Sequence, residues 1–121
     1  MNTVEQVQTS ICPFEPLSED EIDLLQKAAA IIRGKTAIDC TGCAYCVSHC
    51  PKQIPIPHYI KLYNELIRYP NDDWKIVPTY RQLTLSYDGA SACVGCRNCE
   101  KHCPQNLCIA EHMKTIADRF E

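Results

Sequence analysis

The chain has no excess of basic residues. Its formal charge is −3, so no cationic stripe exists to meet phosphates, and a nucleic-acid partner is not expected. Long apolar runs are also missing. The longest is Ala28–Ile32, far short of the ~20 residues a membrane-spanning helix needs, so no membrane partner is expected. The opening stretch, MNTVEQVQTSICPFEPLSEDE, has neither a basic start nor an apolar core, and no signal peptide is read there. Without an export signal, the reducing cytoplasm is the expected compartment. At 121 residues the chain is one domain or part of something larger. It can bury a modest core, about 60–70% of its unfolded surface.

Cysteine is the one residue in surplus, with ten in 121. In a secreted chain that density would suggest disulfides. In a reducing compartment clustered thiols hold metal or do redox chemistry. Eight of the ten fall in two copies of one pattern. Cys40–Pro51 reads CTGCAYCVSHCP and Cys93–Pro104 reads CVGCRNCEKHCP. Each is C-x2-C-x2-C-x3-C-P. Extended by three residues, the copies agree at seven of fifteen positions, including Gly42 with Gly95 and His49 with His102. A repeat of that quality is stronger than either copy alone.

The non-cysteine matches have physical readings. Gly42 and Gly95 sit just before the second cysteine, where a positive φ lets backbone N–H groups approach sulfur. Pro51 and Pro104, with fixed φ and no N–H, are expected to open helices. His49 and His102 are read as packing or hydrogen-bonding side chains. Zinc is one competing occupant, but structural zinc sites prefer two C-x2-C pairs held apart, and three cysteines within seven residues crowd one tetrahedral ion. A disulfide framework is the other, disfavoured by compartment. Cys12 and Cys108 lie outside the repeat and are read as small buried or incidental residues, with a disulfide between them left open.

The spacing resembles that of bacterial two-cluster ferredoxins, in which each run wraps a [4Fe–4S] cube. In such pairs the fourth cysteine of each run ligates the other cluster. The resemblance therefore implies Cys40, Cys43, Cys46 and Cys103 on one cluster, and Cys93, Cys96, Cys99 and Cys50 on the other. With both cubes bound, the formal charge would fall to about −7, favouring a positively charged redox partner.

Between and around the motifs the pattern is helical. In PLSEDEIDLLQKAAAIIRG, Ser18 and Glu21 form a capping-box pair. Ile22, Leu25, Ala29 and Ile32 share a face expected to pack on the cysteine region, and Gly34 closes the helix. Tyr59, Ile60, Tyr63, Leu66 and Ile67 predict a helix from about Pro57 to Tyr69, ended by Pro70 and Asn71. A shorter helix is expected from Pro78 to before Gly89, with a strand around Leu83–Leu85 as the alternative. Ile109, Met113, Ile116 and Phe120 define one face of a last helix. The 42 residues between Cys50 and Cys93 carry helical patterns, so a mainly helical two-cluster ferredoxin-like domain is expected over 17–121. Residues 1–16 are read as a polar tail or linker.

The order of these segments, with IPIP, LYNE and CEKHCPQNL, resembles the C-terminal iron–sulfur extension of aldo/keto reductases that carry two [4Fe–4S] clusters. The likeness spans Pro16 to Glu121, and MNTVEQVQTSI resembles the end of the preceding barrel. The resemblance implies electron transfer beside a nicotinamide-dependent (β/α)8 barrel. A barrel takes ~250 residues and has no room here, so its catalytic Asp, Tyr, Lys and His have no counterparts in this chain. Cys108 stands where the family pattern suggests a polar residue. Two other readings stay open: a stand-alone iron–sulfur subunit of a respiratory or heterodisulfide-type reductase, and a domain that metal merely braces.

Overall fold

The computed structural model describes residues 2–11 and 15–121. Cys12 lies outside them, as does any reading of it. The chain separates into two compact units, Met1–Ile32 and Arg33–Glu121.

The first unit contains helix α1 (Val4–Ser10) and most of α2 (Glu19–Gly34). Within the segment expected to be a tail, α1 forms because Thr3 accepts a hydrogen bond from the Gln6 N–H and Glu5 sits at the positive end of the helix. None of its residues is buried. At the start of α2 the capping box forms as the sequence predicts. The Glu21 N–H donates to Ser18 Oγ at 3.3 Å, while the Ser18 N–H donates back to Glu21 Oε2 at 2.9 Å. The Ser18 N–H and the Ser18 hydroxyl, both donating to Oε2, hold the Glu21 carboxyl below the usual carboxylate range. No residue of α2 is buried, and Ile22, Leu25 and Ile32 are exposed.

The second unit supplies every buried residue among those described, from Ile38 to Phe120. Its helices are α3 (Ile56–Arg68), α4 (Asp73–Thr84) and α5 (Ile109–Phe120), with 3₁₀ turns at Pro70–Asp72, Ala90–Ala92 and Glu100–His102. No strand occurs among the described residues. The fold is mainly helical, as the periodicity predicts. Helix α3 lies within a residue of its expected ends. It buries Leu62 and leaves Ile67 exposed, because it packs on both α4 and α5 and buries a wider arc than one stripe. Helix α4 begins at Asp73, five residues before its expected start, and contains Pro78. The 3₁₀ turn leads straight into it, and a proline in the second turn removes a single backbone bond without ending the helix. Leu83 and Thr84 lie in the last turn of α4, where the alternative reading had a strand. Helix α5 buries Ile109, Met113, Ile116 and Phe120 as patterned.

One aromatic ring from each helix meets in the core. Tyr59 of α3 lies 4.7 Å from Tyr80 of α4, and Tyr80 stacks on Phe120 of α5 at 4.6 Å, measured between ring centres. The Tyr59 hydroxyl donates to the Asp88 carbonyl at 2.9 Å. Burial pushes its pKa up to about 12. These rings join the three helices on which both cysteine loops rest.

Candidate metal centre

The sequence repeat is also a backbone repeat. A shift of 53 residues carries Cys40 onto Cys93 and Ile56, which opens α3, onto Ile109, which opens α5. The same shift pairs every positive φ among the described residues. Gly42 (73°) matches Gly95 (68°), Ala44 (64°) matches Arg97 (57°), and Gln53 (50°) matches Asn106 (51°). Turn hydrogen bonds repeat too. Val47 N–H reaches the Ala44 carbonyl and Glu100 N–H reaches that of Arg97, while Gln53 and Asn106 close on Cys50 and Cys103 at 3.0 Å each. A left-handed backbone at Ala44, Gln53 or Arg97 is unfavourable by about 1–2 kcal/mol for an L-residue. Strain kept at matched places in both halves marks a shape the loops are required to hold.

Pro51 and Pro104 do not open helices. Each begins a turn, and α3 and α5 start five residues beyond them. The left-handed Gln53 and Asn106 reverse the chain first.

Two cavities result. One is lined by Cys40, Cys43, Cys46 and Cys103. The other is lined by Cys50, Cys93, Cys96 and Cys99. Each thus gathers three cysteines of one motif and the fourth of the other, and the two linings correspond residue for residue under the 53-residue shift. Ile56 and Ile109 line both cavities and stand between them, nearly fully buried. His49 and His102, each beside a fourth cysteine, stack face to face with ring centres 3.4 Å apart and planes 7° apart. Their packing partners are each other.

Among the described residues no three His, Cys, Asp or Glu side chains converge closely enough to hold a single metal ion. A lone zinc would draw four sulfurs to about 2.3 Å from one centre. Four thiols spread around a void suit a larger inorganic group with several metal corners, and soft thiolates favour iron–sulfur clusters. Burial pushes the Cys46 and Cys99 thiols up to about 11. Neighbouring thiols act in the same direction, Cys40, Cys99 and Cys43 on the first, Cys50 and Cys93 on the second. Loading metal therefore releases protons from these sites.

Other side chains place the loops. The Asn64 amide clamps Ile38 at both backbone groups, accepting from its N–H at 2.9 Å and donating to its carbonyl at 2.7 Å. This fixes the chain as it enters Cys40. Glu100, inside the second motif, accepts from the Ala110 N–H at 2.9 Å and caps α5. Neither role was legible from periodicity, although Asn64 lies in the LYNE segment. The Gly42 N–H points at Cys40 Sγ, 3.4 Å away. Cys108 precedes α5 as an exposed free thiol.

A Cβ added at Gly42 or Gly95 would meet no heavy atom within 4 Å, so replacement brings backbone strain without a clash. Gly42→Ala and Gly95→Ala should each destabilise by about 1 kcal/mol. That lowers the midpoint of an anaerobic thermal scan by about 4–8 °C. A midpoint shift within error would show that the left-handed glycines are not required.

Paired thiol-lined cavities joined by crossed loops define a ferredoxin-type iron–sulfur domain. Residues 35–107 match the 4Fe-4S dicluster domain family, and this chain belongs to it. No curated protein and no solved structure matches the chain. No helix among the described residues is long and apolar enough to cross a membrane.

Proposed function

We propose that this chain is an electron-transfer module. Cys40, Cys43, Cys46 and Cys103 would hold one [4Fe–4S] cluster, and Cys93, Cys96, Cys99 and Cys50 the other. The observation that carries the reading is the crossed lining of the two cavities. Each cluster, when bound, exchanges one electron at a potential set by charge, burial and N–H···S contacts. The protein's part is to keep the sites rigid and adjacent. Ile56 and Ile109 separate the cavities with apolar side chains and exclude water between them. Asn64 and the core rings hold the loops in place, so little has to move when charge arrives.

The reductase context is a finer proposal and rests on sequence resemblance. The module would pass electrons to or from an aldo/keto reductase barrel, in the cytoplasm. An open reading frame for such a barrel, in frame and upstream, would support it. A separate gene beside a large catalytic or membrane subunit would favour the stand-alone subunit.

Anaerobically prepared protein is expected to contain about eight irons and eight acid-labile sulfides per chain, four of each per cluster, with a paramagnetic signal after reduction. Two zinc ions and no sulfide would overturn the assignment. Clusters that cannot be reversibly reduced would leave only a bracing role.

A further inference from the structure

We propose that the second unit carries a binding site for a small organic anion, a carboxylate or a phosphate ester, in an open pocket against the wall of the Cys40 cavity. The pocket stands on its own geometry; only its meaning as a point of electron exchange rests on the cluster assignment above.

The pocket has a volume of about 410 Å³, within the usual range of ~300–1,000 Å³ for small-molecule sites. Cys40, Thr41, Pro57 and Ile60 line both this pocket and the cavity behind it. A molecule seated here would therefore be separated from that cavity only by shared wall residues. Helix α3 supplies Lys61 and Arg68 to the lining. The Arg68 guanidinium has no hydrogen-bond or ion-pair partner among the described residues. Lys61 is held only loosely, 4.0 Å from Glu65, which also lines the pocket; the Lys61 side chain is well exposed and that of Glu65 partly so. A fork of five donors with nothing to bind matches a carboxylate or phosphate in shape as well as charge.

The internal repeat provides a control. Under the 53-residue shift His58, Lys61 and Arg68 become Glu111, Lys114 and Glu121. There the carboxylates are already engaged. Glu111 pairs with Arg97 at 3.2 Å, and Glu121 accepts from Tyr80 and from the Ser91 N–H. If Lys61 and Arg68 served only to balance four thiolates, the second half would need the same cations. It keeps a lysine, Lys114, but has Glu121 in place of Arg68 and Glu111 in place of His58. The cationic pocket is therefore specific to one side of a nearly symmetric molecule.

The test is calorimetric titration of the cluster-loaded chain with succinate and, separately, with inorganic phosphate at low salt. Saturable binding of one molecule per chain is expected for at least one probe. The responding probe tells a carboxylate ligand from a phosphate one. Arg68→Gln should weaken binding at least tenfold, and added salt should weaken it further. Arg119→Gln, an exposed change on α5 away from the pocket, should leave binding unaltered. The proposal fails if neither probe saturates, or if Arg68→Gln binds like the parent. Iron and sulfide counts on the same samples keep the two readings apart. A fully loaded protein that binds neither anion removes the pocket and leaves the clusters. Anion binding by a chain that never takes up iron does the reverse.

Discussion

Cys103→Ser is expected to empty the cavity of Cys40, Cys43 and Cys46, which belong to the other motif, and to spare the cavity of its own neighbours. The reason is geometric. Cys103 lines the first cavity, whereas Cys93, Cys96 and Cys99 line the second with Cys50. Iron should fall from about eight to about four per chain. A single variant cannot say which site was lost, but pairs can. Cys103→Ser combined with Cys43→Ser strikes one cavity twice and should retain about four irons. Cys103→Ser combined with Cys96→Ser strikes both cavities and should retain almost none. Sequential ligation within each motif predicts the opposite order for the two pairs. Cys103→Ser alone should also melt lower, because a crossed ligand ties chain segments more than fifty residues apart and its loss reopens that loop.

The cysteine repeat made this assignment approachable before any geometry. The spacing resembles that of two-cluster ferredoxins, and that resemblance implied which thiols belong together. What stayed hidden is physically instructive. Pro51, Pro104 and Pro78 each carried the bias of proline toward helix starts, and none of them opens a helix. At the first two, Gln53 and Asn106 adopt left-handed conformations that side-chain chemistry at glutamine does not announce. At Pro78 the preceding 3₁₀ turn had already begun the helix. Amphipathic stripes predicted the buried face of α5, but on α3 they missed Leu62, which is buried, and included Ile67, which is exposed. Periodicity reports that a helix could bury a face, while burial depends on what the rest of the chain brings to it. The Asn64 clamp, the Glu100 cap and the stacked histidines depend on contacts between distant residues. No local pattern encodes those contacts.

Tyr80 is where loss of a single side chain should reach furthest. Its ring packs between Tyr59 and Phe120. Its hydroxyl donates to Glu121 Oε1 and accepts from the buried Ala90 N–H at 2.9 Å. Ala90 opens the 3₁₀ turn that ends at Ala92, and Cys93 follows directly. Tyr80→Phe keeps the ring but strands the Ala90 N–H, a cost of about 1–3 kcal/mol. Tyr80→Ala adds a cavity and should cost about 3–5 kcal/mol, a large share of the ~5–15 kcal/mol that holds a typical domain together. Iron loss on warming should begin at the Cys93 side in Tyr80→Phe, since that loop is the one released. The acid response follows from the same contacts. Burial alone would raise the Glu121 carboxyl, but hydrogen bonds from Ser91, Tyr80 and the local backbone outweigh it and hold it below the usual range. A depressed carboxyl stabilises the fold above its unfolded pKa, and that contribution disappears as pH falls through the folded value. Melting temperature should therefore drop on acidification in the parent, and less steeply in Glu121→Gln. Parallel curves for the two proteins would show that Glu121 contributes nothing to acid sensitivity. A Tyr80→Phe variant that melts with the parent would show that the Ala90 turn does not depend on the hydroxyl.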